Sequence, residues 1–410
     1  MSAKTLPQAL NIFDPERPLK TEQELRDYFV ERAMSPLHEL ALLLRHTGRP
    51  QTILFTGHRG SGKSTELAKL ASLLKDQFFV VDYSVKNVLD LFDVTYVDVI
   101  FSLAAELIRA ATERQVEVKE ELLRHILDFT KEVTKEVVIE ERGEAEVGAA
   151  LSFYVIKLEG KVGKEAATRT LVREKMERRL SDLLENVDLL SREIERATGK
   201  KGLVIVEDLD KTDPARAKEL FYGHALSLTS PRCCVIYTFP TALRHDNDII
   251  QIRQSFSEPV VLPNFPISRR DGSPDEAGLA CLQKILTRRA EERLFTPGAL
   301  RGLVGWSGGL ARELIILTRR ACLVAMEAEK PAIDEEVVEQ AAARMRIDYQ
   351  VLLTTEQLDL LRTVGERKRV ENDEAHRALL HNLSALEYRN GEGVWYDVHP
   401  IVRPLLEERA

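Results

Sequence analysis

A glycine-rich segment near the start of the chain constrains the fold more than any other feature. It reads Gly57-His58-Arg59-Gly60-Ser61-Gly62-Lys63-Ser64, between the β-rich run 52–56 and the helical pattern 65–74. Glycines let a backbone wrap closely around an anion with its N–H groups turned inward. The helix that follows presents its positive N-terminal end to the same anion. The segment therefore predicts a strand, a phosphate-binding loop and a helix in succession.

The spacing of this loop is that of the Walker A pattern, Gly57-x-x-x-x-Gly62-Lys63-Ser64. The pattern predicts ATP as the bound molecule and Mg²⁺ as its companion ion. We expect Lys63 to reach the β- and γ-phosphates during catalysis and the Ser64 hydroxyl to bind Mg²⁺. A glycine-rich turn capped by serine is the structural alternative. The predicted nucleotide-binding residues are Gly57, His58, Arg59, Gly60, Ser61, Gly62, Lys63, Ser64 and Thr65.

A second motif places acids directly after the apolar run 203–206, namely Glu207, Asp208 and Asp210. This is the Walker B form, in which a buried strand delivers carboxylates to Mg²⁺ and to the attacking water. From their positions, Glu207 is expected on the metal side, where it binds Mg²⁺, and Asp208 on the water side, where it acts on the attacking water. Asp210 suits either role. Glu207 and Asp208 are thus predicted as catalytic groups and, with Ser64, as the metal ligands. An acidic turn after a buried strand is the alternative interpretation.

Two further residues are candidates for sensing the nucleotide. Thr238 ends the apolar run 233–238, whose strand we expect to lie between the two Walker strands, so its hydroxyl is predicted to sense the γ-phosphate. A threonine that caps the turn before Pro240 is the alternative. Arg312 follows Ser307, a candidate N-cap, and is expected to reach the nucleotide from a helical lid. A solvated arginine at a helix start is the alternative there.

One more arginine is a candidate for completing a neighbouring subunit's site. Arg253 precedes the last apolar run and is predicted to act as an arginine finger in an oligomer, with Arg244 as a rival. An ordinary surface arginine is the alternative for either residue.

Near-continuous apolar runs alternating with helical patterns predict a parallel sheet with helices on both faces. The runs are 52–56, 78–82, 203–206, 233–238 and 258–262. The fold class predicted is α/β, a P-loop NTPase sheet followed by an all-α lid and a C-terminal winged-helix-like domain. The predicted domains are 1–50 (N-terminal arm and helices), 51–272 (P-loop ATPase domain with a helical and hairpin insertion at about 94–200), 273–345 (lid) and 346–410 (winged-helix-like domain).

Local patterns predict several shorter elements. Three prolines make residues 1–20 an expected extended arm. Strand-like runs at 136–139 and 151–156 predict an inserted hairpin. The helices expected in the lid and C-terminal domain include 308–329, 334–345, 355–365 and 373–388, and Asn390-Gly391 predicts a hairpin turn after them.

In this order, these motifs resemble the AAA+ and STAND group of ATPases. The segment Ile205-Val206-Glu207-Asp208-Leu209-Asp210 is similar to the KAP-type Walker B signature, and Ser307–Leu314 resembles the lid of origin-recognition-type initiators. Glu207 stands where the family has aspartate, and Lys211 where the KAP pattern has arginine. The resemblance covers roughly residues 20–345 and implies an ATP-hydrolysing site with a mobile lid, without the membrane segments of KAP proteins.

The overall charge does not indicate a nucleic-acid binder, since the 410 residues carry a formal net charge of -8. Residues 346–410 hold nine basic and twelve acidic side chains, which speaks against DNA, although Arg367-Lys368-Arg369 is one basic cluster. Contact with protein, autoinhibition and contact with DNA all remain open for this domain. The cysteines are expected to be reduced, consistent with a cytoplasmic protein without a membrane span: Cys233, Cys234, Cys281 and Cys322.

The sequence thus leads to three hypotheses about function. The first is a Mg²⁺-dependent ATPase that acts as an oligomeric, nucleotide-dependent switch for a partner protein. The second, motivated by the glutamate in the Walker B motif, is an ATP-binding scaffold with little turnover. The third, motivated by the initiator-like lid, is a DNA-acting ATPase such as an initiator, a transposition regulator or a component of antiviral (antiphage) defence.

Overall fold

A parallel five-stranded sheet lies at the centre of the molecule. The computed structural model describes residues 2–133, 166–257, 259–391 and 393–407. The strands are β1 (Thr52–Thr56), β2 (Phe78–Ser84), β3 (Lys201–Glu207), β4 (Cys234–Phe239) and β5 (Val260–Val261). Across the sheet the order is β2-β3-β4-β1-β5, and all pairings are parallel. The predicted fold class is confirmed: this is the fold of a P-loop ATPase, with one strand between the two Walker strands.

Both faces of the sheet are buried, as the unbroken apolar runs predict. Alternate residues of a strand point to opposite faces. Val204 and Val206 of β3 lie in one core, whereas Leu203 and Ile205 lie in the core on the other face. This double burial explains why the strands carry almost no polar residue before their carboxyl ends, where the functional side chains collect.

The remaining elements are helices and one β-hairpin. Before and within the sheet domain the helices are α1 (Leu6–Ile12), α2 (Glu22–Tyr28), α3 (Leu37–His46), α4 (Lys63–Leu74), α5 (Tyr96–Glu113), α6 (Glu120–Val133), α7 (Ala166–Arg178), α8 (Leu180–Thr198), α9 (Pro214–Lys218), α10 (Ala225–Thr229), α11 (Thr241–Arg244) and α12 (Ile249–Ser255). After it come α13 (Glu276–Thr287), α14 (Pro297–Trp306), α15 (Ala311–Glu327), α16 (Glu335–Leu352), α17 (Thr355–Arg367), α18 (Glu374–His381), β6 (Ala385–Asn390), β7 (Gly393–Val398) and α19 (Arg403–Glu407).

Residues 6–12 form a helix and are not part of the extended arm expected for residues 1–20 from their prolines. Thr5 caps α1 by accepting a hydrogen bond from the Gln8 N–H, and Pro7 sits in the first turn, where its missing N–H costs nothing. Phe13 is fully buried in the core shared by helices α13 to α16. The N-terminal helix therefore packs as a fifth helix against the lid.

Three helix boundaries in the second half also differ from expectation. Ser307 is not the N-cap of the Arg312 helix: it ends α14, and α15 begins at Ala311 after Gly308 and Gly309, which both have positive φ. A Cβ on Gly309 would lie 1.9 Å from the Phe265 carbonyl oxygen, so this turn requires glycine.

Helix α16 continues to Leu352, past the expected end at residue 345, so it carries the chain from the lid into the C-terminal domain. The helix expected at 373–388 ends at His381, and its last residues form β6 instead. Strands β6 and β7 pair antiparallel from Ala385↔Val398 to Asn390↔Gly393, which places the hairpin turn where the sequence predicts it.

The strands expected at 136–139 and 151–156 lie outside the described residues. Within the described ranges, no helix is both long enough and apolar enough to cross a membrane.

Candidate functional site

The carboxyl edge of the sheet opens into a cavity of about 470 Å³, within the size range of small-molecule sites. The parts of the molecule that line it include the glycine-rich loop, the ends of β3 and β4, the start of α15 and an N-terminal strap, which we define as residues 14–20. Six of the nine predicted nucleotide-binding residues line it: Arg59, Gly60, Gly62, Lys63, Ser64 and Thr65.

The loop has the shape of a cradle that only glycines permit. Gly60 and Gly62 have φ of +81° and +101°, a region that L-residues rarely adopt. A Cβ on Gly57 would come within 2.7 Å of the Leu262 carbonyl oxygen. At Gly57 the backbone therefore approaches its neighbour too closely for any side chain, and the conformations of Gly60 and Gly62 also favour glycine.

Lys63 lies folded over this loop. Its ammonium group donates to the carbonyl oxygens of Gly57 (2.7 Å) and His58 (2.9 Å) and forms an ion pair with Asp210 Oδ2 at 2.9 Å. The sequence left the role of Asp210 open, and the structure places it against the Walker A lysine. The two motifs are thus in direct contact at the site.

Glu207 contacts a lysine that was not predicted as a site residue from the sequence. Lys20 of the N-terminal strap is ion-paired with Glu207 and, at 2.8 Å, with Asp82. Burial, helped by the neighbouring Asp82 carboxylate, raises the pKa of Glu207 to about 7 against the opposing effect of the Lys20 ammonium. The acid predicted for the metal side is therefore paired with a lysine of the chain itself.

Asp208 has a left-handed backbone (φ 72°) directly after β3. Its carboxylate accepts a hydrogen bond from Ser84 Oγ at 2.5 Å and is ion-paired with Lys211. Burial acts to raise the pKa of Asp208, but the contacts with Lys211 and Ser84 outweigh it and hold the pKa below its usual value. Asp208 is thus an ionised carboxylate at the cavity, and Lys211 contributes to keeping it so.

The sensor candidates Thr238 and Arg312 line the cavity, whereas the arginine-finger candidates Arg253 and Arg244 do not. Thr238 is buried on β4 and its hydroxyl donates to the Val206 carbonyl oxygen at 3.4 Å. Arg253 lies on α12, and Arg244 is ion-paired elsewhere.

Arg312 ties the lid to the glycine-rich loop. Its backbone N–H donates to the Gly60 carbonyl oxygen at 2.9 Å, while its guanidinium is ion-paired with Glu16 of the strap. The lid therefore meets the loop through the first turn of α15.

The predicted loop residue His58 does not line the cavity. Its ring accepts a hydrogen bond through Nε2 (2.9 Å) from the Glu387 backbone N–H, on strand β6 of the C-terminal hairpin. The Glu387 carboxylate in turn pairs with Arg244 and, at 2.7 Å, with Arg389. A residue of the Walker A loop thus contacts the C-terminal domain directly.

The sequence did not single out the N-terminal contribution to the site. The strap and the segment after α2 supply lining residues that include Glu16, Lys20, Val30 and Arg32. The strap is also fastened by the Leu19 N–H, which donates to Thr65 Oγ1 at 3.3 Å. The sequence feature that could have indicated this contribution is the pair Pro15 and Pro18, because prolines stiffen an extended chain.

No protein-family model and no curated protein matches this sequence. Among solved structures, Cdc6p of Pyrobaculum aerophilum is 14% identical with a TM-score of 0.42, over 97% of this chain and 98% of that chain. A Walker-type ATPase of Pyrococcus abyssi is 15% identical with a TM-score of 0.49, over 97% and 99%. The RuvB Holliday junction branch migration motor of Thermotoga maritima is 15% identical with a TM-score of 0.39, over 96% and 99%.

Proposed function

We propose that this chain binds ATP with Mg²⁺ in the cavity, hydrolyses it, and uses the nucleotide state as a regulatory switch. The observation that carries the proposal is the meeting of the two Walker motifs, in which Lys63 lies 2.9 Å from Asp210 while Ser64 and Asp208 line the same cavity. A phosphate cradle and a cluster of carboxylates at one sheet edge are the requirements for phosphoryl transfer to water.

Each side chain has a role that its position supports. Lys63 exchanges its loop carbonyls for phosphate oxygens, and the Ser64 hydroxyl and the β3 acids hold the metal site. Mg²⁺, when bound, neutralises charge on the phosphates. Asp208, kept ionised by Lys211 and Ser84, orients and deprotonates the attacking water. Thr238 senses the terminal phosphate from β4.

The switch follows from what the loop touches. Arg312 connects the loop to the lid, and His58 connects it to the C-terminal hairpin. A change in loop geometry when ATP binds or is hydrolysed therefore changes the contacts of both the lid and the C-terminal domain. We propose that it alters the contacts of the C-terminal domain with a protein partner, and that in an oligomer Arg253 or Arg244 faces a neighbour's nucleotide.

One observation favours the second candidate, an ATP-binding scaffold with little turnover. Lys20 is ion-paired with Glu207, the acid on the metal side, so a metal ion has to compete with the lysine for this carboxylate. Slow hydrolysis that accelerates in Lys20→Ala supports the switch, whereas tight ATP binding with no phosphate release in either protein supports the scaffold.

The lysine of the loop provides the first test. Lys63→Ala is expected to lower ATP affinity at least ten-fold and to abolish turnover, because it removes the charge that faces the β- and γ-phosphates. Lys75→Ala, at the C-terminal end of the same helix and outside the cavity, is the control and is expected to behave as wild type. Wild-type affinity and turnover in Lys63→Ala would contradict the site assignment.

The ATPase rate is also measured with double-stranded DNA added, which tests whether the protein acts on DNA. The basic cluster of the C-terminal domain is partly neutralised, since Lys368 is ion-paired with Asp397 at 2.7 Å and Arg369 with Glu371 at 3.6 Å. We therefore expect the ATPase rate to be indifferent to DNA. A DNA-dependent rise that falls steeply with salt would move the proposal to the DNA-acting class.

A further inference from the structure

Arg32 is a fully desolvated cation beside the phosphate loop, in the segment between α2 and α3. Its side chain is 5% exposed, which is rare for arginine unless every donor direction is used. The guanidinium donates from Nε to Glu66 Oε1 (2.8 Å), from Nη1 to the Pro263 carbonyl oxygen (2.5 Å) and from Nη2 to the Ser61 carbonyl oxygen (2.8 Å). Its plane also lies 4.1 Å from the centre of the Phe265 ring.

These partners belong to three separate parts of the site. Ser61 lies in the phosphate loop, and Glu66 lies in the first turn of the helix that follows it. Pro263 and Phe265 belong to the connector that leads from β5 to the lid, where the Phe265 N–H donates to the Gly309 carbonyl oxygen at 3.1 Å. A single side chain thus joins loop, helix and lid connector.

The bond to Ser61 fixes the direction of a backbone N–H. A trans peptide is planar, so its C=O and N–H groups point to opposite sides. Because Arg32 holds the Ser61 carbonyl, the N–H of Gly62 must point away from the guanidinium. A Cβ on Gly62 would lie 3.3 Å from Arg32 Nη2, so the arginine is in close contact with this peptide.

We propose that Arg32 is a positioning residue of the phosphate loop, which sets the Ser61–Gly62 peptide for phosphate binding and couples the loop to the lid connector. The inference rests on the nucleotide-binding function proposed above. Arg32 acts through the backbone and not by touching phosphate. Its planar fork is needed because a lysine cannot reach a carboxylate and two carbonyls in fixed directions.

The test compares nucleotide affinities of full-length variants by calorimetry, with thermal unfolding measured in parallel. Arg32→Lys is expected to weaken ATP and ADP binding about 10- to 100-fold, while binding of AMP, which lacks the β- and γ-phosphates, changes less than three-fold. Arg173→Lys is the control, since Arg173 is a largely buried arginine that pairs with two carboxylates, Asp93 and Asp98, but does not line the cavity. It is expected to lower the melting temperature without changing any affinity.

A second variant keeps the proposal testable if Arg32→Lys does not fold. Arg32→Met with Glu66→Leu replaces the buried pair by apolar groups of similar size, an exchange that proteins often tolerate. It removes the hold on Ser61 and is expected to show the same loss of ATP and ADP affinity.

Wild-type ATP affinity in either folded variant overturns the positioning role alone. Equal losses for ATP, ADP and AMP also overturn it, because they indicate a general distortion of the cavity. Absence of ATP binding by the wild-type chain overturns the proposed function together with this inference.

Discussion

At the scale of single residues, the site depends on backbone positions where a side chain cannot fit. Gly57 is one: any Cβ there would lie 2.7 Å from the Leu262 carbonyl oxygen, below the distance that real contacts show. Gly223 offers the matched comparison, because a Cβ at that position meets nothing within 4 Å and its φ is not positive.

We therefore predict that Gly57→Ala destabilises the fold by roughly 1–3 kcal/mol and abolishes ATP binding, since the loop must shift away from β5. Gly223→Ala is expected to retain both wild-type stability and wild-type affinity. Urea unfolding and ATP titration measure the two effects. Unchanged ATP affinity in Gly57→Ala would mean that the cradle tolerates the shift and that the loop is not finely shaped for phosphate.

The residue scale also shows where sequence reasoning ends. The Walker motifs are local patterns, so the loop, Lys63 and the β3 acids were assigned from spacing alone. Lys20, which holds Glu207, is 187 positions away from it, and Glu387, which holds His58, is 329 positions away from it. No periodicity or motif links residues at such separations, because only the tertiary fold brings them together.

At the scale of elements, β1 to β4 were predicted well because they are buried on both faces and read as apolar runs, whereas β5 is a half-buried edge strand of two residues. The helix boundaries were predicted less well where a local signal competes with tertiary packing. Residues 385–388 continue the helical pattern of α18, yet Leu386 and Tyr388 bury their side chains in a small core with Trp395 and so form a strand. Pairing with β7 outweighs helix propensity there.

Helix α1 gives the clearest prediction about an element. Phe13, at its C-terminal end, is completely buried among lid residues, although the sequence indicated only an extended arm. Phe13→Ala is expected to destabilise the lid by roughly 3–5 kcal/mol, through lost burial and the cavity that remains.

Leu226→Ala is the matched large-to-small control, since Leu226 is 78% exposed and its truncation should cost well under 1 kcal/mol. Thermal unfolding is followed by tryptophan fluorescence in a Trp395→Phe background, so that the remaining tryptophan, Trp306 at the end of α14, reports on the lid. A loss for Phe13→Ala no larger than that of the control would show that α1 is not part of the lid core.

At the scale of the whole molecule, His58 of the phosphate loop is bonded to the C-terminal domain, and a second histidine, His399, is buried within that domain. Burial lowers the pKa of His58 to about 4 and that of His399 to about 3, from the ordinary 6.5. Around His58, Glu387 opposes this shift, whereas Lys63, Arg244 and His245 add to it. Both rings are therefore neutral in the folded chain at neutral pH.

This arrangement predicts a dependence of stability on pH. A histidine whose pKa is depressed by folding takes up protons more readily when unfolded, so its stabilising contribution is complete above about pH 6.5 and is lost as the pH falls. Each histidine is expected to cost about 1.4 kcal/mol per pH unit below that value, until its own folded pKa is reached.

The measurement is the free energy of unfolding between pH 7.5 and pH 5. His58→Asn retains a side-chain acceptor for the Glu387 N–H, and it is expected to reduce the slope by about half. His125→Asn, at an exposed position on α6, is the control and should leave the slope unchanged. A stability that is flat between pH 7.5 and pH 5 in the wild type would contradict the buried, neutral state of these rings.

The contacts of the whole chain converge on the glycine-rich loop: the strap through Thr65, the lid through Gly60 and the C-terminal hairpin through His58. Such convergence is the reason why we propose that a bound nucleotide acts on the other domains through this loop. It also explains why motif analysis found the loop but not its function as a junction, since each contact comes from a distant part of the sequence.

The central claim is that the cavity hydrolyses ATP, and phosphate release by the full chain with Mg²⁺ tests it most directly. Wild type is compared with Asp208→Ala and with Asp128→Ala, which removes an exposed carboxylate on α6 away from the cavity. The account predicts turnover in wild type and Asp128→Ala, and a loss of at least a hundred-fold in Asp208→Ala, because the attacking water loses its base. Full turnover in Asp208→Ala would contradict the account.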